Sequence, residues 1–487
     1  MQYEYVQNAE DRKAKRGGFQ QMVEKDESLL ERFGNHPTPF YYYDGDAMYA
    51  HVSSLLARLH PAVRIHYALK ANGNVALAGL LRSLGCGVEI ASAGELFVAM
   101  EAGYAAEDVL YAGPGKTAAE LSEAVACGIG CIHVESVREL RLLEDIAARA
   151  GLFVRAAVRI NPDNDLSGAT IKMGGVPRPF GVDEGQLDHF FETLEECPHV
   201  YFQGIQVYTG TQMLKADQIL ASFANTLQLA ERVQARYGVA MHTVNLGGGF
   251  GVPYFAHEQP LDMEQVIDGL NALAEQTRSR MPGVTLIIES GRYLVAQAGR
   301  YVCRALYTKE SKGEKFVVAD GGMNHYVSAT FRGRRLRDNY PVRIMRRQVT
   351  EQEVREMGAN IRMGQRNAPI QEDIAVELPG EVANRIEEHS TEASLELETV
   401  SIVGPLCTPE DCMVKKAQLP PIQEGDYIVF PNAGAYGLSY SPVHFLGHAT
   451  PAELLDFRGE VHVIREHGNR MDLLHHQRMI PLPEDVL

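Results

Sequence analysis

Between about Thr38 and Ala298, short apolar runs alternate with amphipathic helical stretches, and this alternation constrains the fold more than any other feature of the chain. "TPFYYYD", "VRIHYALK", "GCGVEIAS", "DVLYAG", "CIHVES", "FVRAAVRINP", "YFQGIQVYTG", "HTVNLGGGF" and "VTLIIESGR" predict strands. Between them, "AGELFVAMEAGY", "VRELRLLEDIAARAG" and "ASFANTLQLAERVQARYG" carry apolar residues at helical spacing. About eight βα units in about 260 residues is the size of a (β/α)8 barrel. A doubly wound open sheet is the alternative, but no GxGxxG opens the first unit.

After Gly299 the texture becomes β-rich, and "YVCRALYTKE", "EKFVVADGG", "LETVSIVGPL" and "GDYIVFPNAGAYG" predict strands without long intervening helices. The fold class is thus α/β followed by β, with an N-terminal segment over 1–36, a barrel over 37–298 and a largely antiparallel β domain over 299–487. The N-terminal segment is expected to pack on the β domain. A polar, charge-rich stretch from about 343 to 396 is expected as a solvated insertion in that domain.

Composition narrows the class of function. The 487 residues are 45% hydrophobic and 22% charged, ordinary for a globular chain long enough for two or three domains. Their 46 basic and 63 acidic side chains give a formal charge of −17, which opposes non-specific attraction to nucleic acid or to an anionic membrane. Small-molecule chemistry is favoured. The opening "MQYEYVQNAEDRKAKRGGF" has no apolar stretch of signal-peptide length and no run of eighteen apolar residues occurs elsewhere, so a cytoplasmic protein is expected. Seven cysteines without a CxxC pair predict reduced thiols and neither a disulfide framework nor a metal site.

Strand ends on a parallel barrel converge on one mouth, and the motifs that fall there bear chemistry. In "IHYALKAN" a lysine, Lys70, follows an alternating apolar run and precedes a turn. Such a lysine either reaches for water along its aliphatic stem or, desolvated and with a lowered pKa, serves as a nucleophile toward an aldehyde. "NLGGGFG" brings backbone amides close to any anion, "ESGR" ends a strand with Glu289 and Arg292, "GPLCTPED" sets Cys407 in a Pro-flanked loop, and "NAGAYG" presents Tyr436 in a glycine-lined turn. Taken singly, each is more often a turn, a local ion pair or a buried thiol than a site.

Together and in this order, "YALKAN", "GVEIASAGEL", "RINP", "YTGTQ", "GGGFG", "ESGR", "DGGMNH", "GPLCTPED" and "NAGAYG" resemble the fold-type III pyridoxal-phosphate decarboxylases, the group of diaminopimelate and ornithine decarboxylase. The resemblance covers the chain from about Pro37 to Gly447, apart from the insertion. It implies pyridoxal 5'-phosphate as cofactor, with Lys70 holding its aldehyde and Glu289 facing its ring nitrogen. Gly248, Gly249, Gly291, Arg292 and Tyr436 would surround the phosphate, with Glu89 and Arg159 near the ring. Cys407, from the second subunit of a homodimer, would return a proton to Cα after CO2 leaves.

Departures from the pattern bear on the substrate. Tyr208 stands where better-known members stack a histidine on the ring, and Thr211 where they place a serine near the phosphate. Ser328, Arg332 and Thr408 occupy positions where diaminopimelate decarboxylases read a distal zwitterion, and Thr408 also replaces the aspartate that binds a distal ammonium in ornithine decarboxylases. Asp320 is then a candidate amine contact, with Asp411 of the cysteine loop a further substrate contact. The pattern is most similar to the siderophore, antibiotic and exopolysaccharide branch, which implies an amino acid or a conjugate, some of them tethered to a carrier protein. The basic run Phe331 to Arg347 could meet such a partner or be a solvated face. The competing readings are a diaminopimelate or ornithine/lysine decarboxylase acting on the free amino acid, an amino-acid racemase, and a catalytically silent regulatory relative.

Overall fold

The computed structural model describes residues 3–4, 29–33, 36–163, 171–172, 177–255, 257–330, 338–346 and 397–480. The first long strand, β1 (Phe40–Asp44), corrects the sequence expectation that counted it with the barrel. It pairs antiparallel with Gly299–Ser311 and parallel with Ala452–Phe457, inside the second domain's sheet. Phe40, Tyr41, Tyr42 and Tyr43 are all buried, so both faces of the strand need cover. A central position in a large sheet supplies it, whereas the local pattern of strand before helix reads the same in either domain.

After helix α1 (Gly45–Leu56) the chain closes a barrel of eight parallel strands: β2 (Val63–Ala68), β3 (Gly87–Ile90), β4 (Val109–Tyr111), β5 (Cys131–Val134), β6 (Val154–Asn161), β7 (Val200–Gln206), β8 (Thr243–Gly248) and β9 (Thr285–Ser290). Closure comes from β9 pairing with β2 and from β7 pairing with both β6 and β8. Local chemistry sets the helix starts. Ser92, Thr117 and Ser136 each accept a backbone N–H in the first turn of the helix that follows, and Thr117 forms a reciprocal capping box with Glu120. The helix Val137–Ala150 buries Leu140, Leu143, Ile146 and Ala147, a stripe at three- and four-residue spacing, and each large aliphatic so covered contributes about 1.5–3 kcal/mol.

Among the described residues the second domain is a ten-stranded sheet, largely antiparallel. Its central strand, Gly299–Ser311, pairs with β1, Glu314–Ala319 and Tyr427–Pro431. Tyr3–Glu4 pairs with Arg343–Met345, and Leu29 and Phe33 pack against Phe40, Tyr42 and Tyr427. The expected insertion begins later than 343. Arg343–Met345 is a strand bonded to Tyr427–Pro431, with Ile344 and Met345 buried, while 347–396 lies outside the described residues. All seven cysteines are free. Among the described residues no cluster suits a metal ion, and no helix is long and apolar enough to cross a membrane.

Candidate active site

β2 ends at Ala68, and a single 3-10 turn, Leu69–Ala71, carries Lys70 onto the mouth of the barrel. Its Nζ lies 3.1 Å from both carboxylate oxygens of Glu89, which is 1% exposed on the neighbouring strand β3. The lysine side chain itself stays 42% exposed, open toward the cavity. Desolvation draws its pKa down, but Glu89 and then Glu289 outweigh that effect and hold the amine above the ordinary lysine range. The expectation of a lowered pKa is therefore corrected: two carboxylates beside one amine stabilise the ammonium more than the partial burial penalises it.

A cavity opens beside Lys70, lined by Tyr208, Thr211, Gly249, Glu289, Gly291, Arg292 and Tyr436 among others. Tyr208 lies with its ring centroid 5.9 Å from Nζ of Lys70. Glu289, 3% exposed at the end of β9, forms the polar floor. Burial raises the Glu289 pKa, the charge of Glu89 adds to the rise, and Lys70, Arg159 and a hydrogen bond from Asn245 oppose it. Arg159 is buried, ion-paired with Glu135 at 3.0 Å and set over the ring of Phe180.

The opposite wall is built for an anion. Gly249 has φ +93°, and a Cβ at Gly291 would stand 2.6 Å from the Ala71 methyl, so side chains are excluded where backbone amides reach the cavity. Gly248 lies flush against β9, where a Cβ would overlap the Glu289 carbonyl. Arg292 is stacked between two tyrosines, 4.4 Å from the ring of Tyr436 and 5.5 Å from that of Tyr254, and donates to the Tyr254 hydroxyl at 3.0 Å. Tyr436 itself holds φ +53°, pinned by its N–H to the Ala71 carbonyl at 2.7 Å. Two buried polar atoms of this wall, Ser290 Oγ and Arg292 Nε, have no hydrogen-bond partner among the described residues. An aldehyde-bearing aromatic phosphate fits this set: an amine at the mouth, a carboxylate on the floor, and amides, a hydroxyl and a guanidinium at the far wall.

Two candidate substrate contacts already have partners within the chain. Asp411 is 2% exposed, with Oδ1 accepting from Met323 N–H at 2.6 Å and Oδ2 from Leu406 N–H at 2.8 Å. It latches the "DGGMNH" and "GPLCTPED" loops together, and Gly322 and Gly404 lack side chains because a Cβ on either would strike its carboxylate. Asp320 is likewise engaged, accepting from Thr38 Oγ1 at 2.5 Å and from Arg304 N–H at 2.8 Å. Ser328 Oγ donates to the Tyr436 carbonyl at 2.8 Å. Cys407 and Thr408 sit on the latched loop, the cysteine exposed and not among the residues that line the Lys70 cavity. Arg332 lies outside the described residues, as do 331–337 and 347 of the basic run. Arg346 of that run donates twice to Asp426, at 2.8 and 2.7 Å.

Sequence reasoning missed Gln206 and Asn245. Both are 1% exposed and both donate side-chain amides to Glu289 Oε1, Asn245 at 2.8 Å. Their signal was an amide side chain in each of two barrel strands, at the end of β7 for Gln206 and inside β8 for Asn245.

Comparison with known proteins agrees with this geometry. Residues 46–296 match the family model described as pyridoxal-dependent decarboxylase, pyridoxal binding domain. The chain is 44% identical to L-glutamyl-[BtrI acyl-carrier protein] decarboxylase of Niallia circulans, over 92% of this chain and 94% of that one. It is 27% identical to the Staphylococcus aureus 2-[(L-alanin-3-ylcarbamoyl)methyl]-2-hydroxybutanedioate decarboxylase, over 86% and 94%. Among solved structures, Helicobacter pylori diaminopimelate decarboxylase complexed with L-lysine superposes with a TM-score of 0.74 at 26% identity, covering 92% of this chain and 98% of that one.

Proposed function

The chain belongs to the pyridoxal-dependent decarboxylases, and on that footing we propose that its substrate is an L-amino acid carried as a conjugate, an aminoacyl group on an acyl-carrier protein. The reaction is pyridoxal-phosphate-dependent loss of CO2 from an amino acid or amino-acid conjugate, in a specialised biosynthetic setting. When bound, pyridoxal phosphate supplies the electron sink that accepts the electron pair of the breaking Cα–carboxylate bond.

The residues of the chain do the rest in this reading. Lys70 would hold the cofactor aldehyde through its amine. Glu289 would accept a hydrogen bond from the ring nitrogen and favour its protonated form, Glu89 tunes the Lys70 charge, and Tyr208 would offer its ring face to the cofactor ring. Gly248, Gly249, Gly291, Arg292, Thr211 and Tyr436 bind the phosphate. Cys407, offered by the second subunit of a homodimer, delivers a proton to Cα; its exposure on a loop outside its own chain's cavity supports that arrangement.

The observation that carries the choice of substrate is the engagement of both acidic candidates. Asp320 and Asp411 are held by Thr38, Arg304, Met323 and Leu406, Ser328 braces the Tyr436 turn, and Thr408 is uncharged. A distal ammonium would therefore find no carboxylate ready for it among these residues, which disfavours free diamino acids. The relative acting on a glutamyl carrier protein has the same direction of preference in its name. Glutamyl-loaded carrier protein and free glutamate, ornithine, lysine and diaminopimelate, each incubated with the loaded enzyme, distinguish the cases by mass spectrometry. Loss of CO2 from the carrier conjugate alone is expected; turnover of a free diamino acid with the conjugate untouched would overturn the substrate assignment.

A further inference from the structure

Glu289 is held by its own floor. Gln206 at the end of β7 and Asn245 in β8 both donate their side-chain amides to Oε1, while Oε2 accepts from none of the described residues and is left to the cavity that Glu289 lines. Asn245 has a second engagement: its Oδ1 accepts the N–H of Gly247 at 2.9 Å, and Gly247 stands at φ +67° at the head of the glycine run. One buried side chain thus touches both the carboxylate on the floor and the backbone of the anion-binding wall.

We propose that Gln206 and Asn245 are positioning residues that clamp Glu289 with Oε2 turned to the cofactor's ring nitrogen, and that Asn245 sets this carboxylate and the glycine loop as one unit. The inference rests on the reading of Glu289 given above. Two donors on one oxygen fix the carboxylate's rotation, since either oxygen could otherwise turn toward the cavity. They also favour the ionised form. Burial and the charge of Glu89 on β3 push Glu289 toward protonation, against Lys70 after β2, Arg159 on β6 and the Asn245 amide. Tyr208 beyond β7 also faces the carboxylate, and His66 lies beside it in register on β2. A protonated Glu289 could not keep the ring nitrogen protonated, so losing an amide donor weakens the electron sink from a distance.

The test uses the full chain freed of cofactor and titrated by visible absorbance with pyridoxal 5'-phosphate, and with its analogue bearing CH in place of the ring nitrogen. Gln206→Met and Asn245→Asp each remove the amide donor, and the aspartate keeps the acceptor for Gly247. Each should weaken pyridoxal phosphate binding by about tenfold or more, as loss of one hydrogen bond to a charged group implies, and leave binding of the analogue near wild type. The pH at which the bound cofactor's spectrum changes should move upward in both variants, and in a Glu289→Gln background neither substitution should move it further. Equal weakening toward cofactor and analogue, with an unmoved spectral transition, would show that the two amides are merely structural and overturn the proposal. If Glu289→Gln itself leaves affinity and spectrum at wild type, the reading of Glu289 falls first, and the proposal with it.

Discussion

At the scale of single residues the decisive pair is Lys70 and Glu89. A lysine with both carboxylate oxygens at 3.1 Å is an ammonium, and an ammonium cannot add to an aldehyde until it gives up a proton. Glu89 is the stronger of the two neighbouring carboxylates in raising the Lys70 pKa. Glu89→Gln should therefore lower that pKa and let the cofactor-free protein take up pyridoxal phosphate at lower pH than wild type does. The rate at which visible absorbance appears, followed against pH, checks this. An unshifted profile would mean that the ion pair does not control the amine.

At the scale of elements the loops of the second domain are organised by Asp411. Its carboxylate accepts from amides in two segments 88 and 5 residues away in sequence. Asp411→Ala would leave two buried N–H groups unpaired, each costing about 1–3 kcal/mol, and should lower the urea midpoint and loosen the Cys407 loop. A wild-type urea midpoint combined with a raised KM for substrate would instead return Asp411 to substrate binding. The difference shows where sequence reading stops. Barrel strands and glycine turns are local patterns, so they were legible, as was the strand-end position of Lys70. The β1 strand was assigned to the wrong sheet because a strand followed by a helix looks alike in both domains. The engagement of Asp411 by the Met323 amide and of Asp320 by the Thr38 hydroxyl is not legible in the sequence, because these partners lie 88 and 282 residues away. Gln206 and Asn245 went unnoticed for the same reason, since nothing in "YFQGIQ" or "TVNLGG" shows that their amides meet on one carboxylate.

At the scale of the whole molecule the barrel offers a cavity with an amine and an anion wall, while the thiol proposed as proton donor is displayed on the other domain. If each site borrows Cys407 from a second subunit, two inactive variants complement one another. Mixing Lys70→Ala with Cys407→Ala, and allowing subunits to exchange, should restore about a quarter of wild-type activity, because half of the twofold dimers then hold one intact site. No recovery after verified exchange would place the proton donor and Lys70 in the same chain. The central claim, that Lys70 carries the cofactor of a decarboxylase, has a more direct test. Treat the pyridoxal-phosphate-loaded protein with borohydride, digest it and map the modified peptide by mass spectrometry. The cofactor should be found fixed to the lysine of "IHYALKAN" and to no other, and should be lost in Lys70→Ala; a label on a different lysine, or none at all, would contradict it.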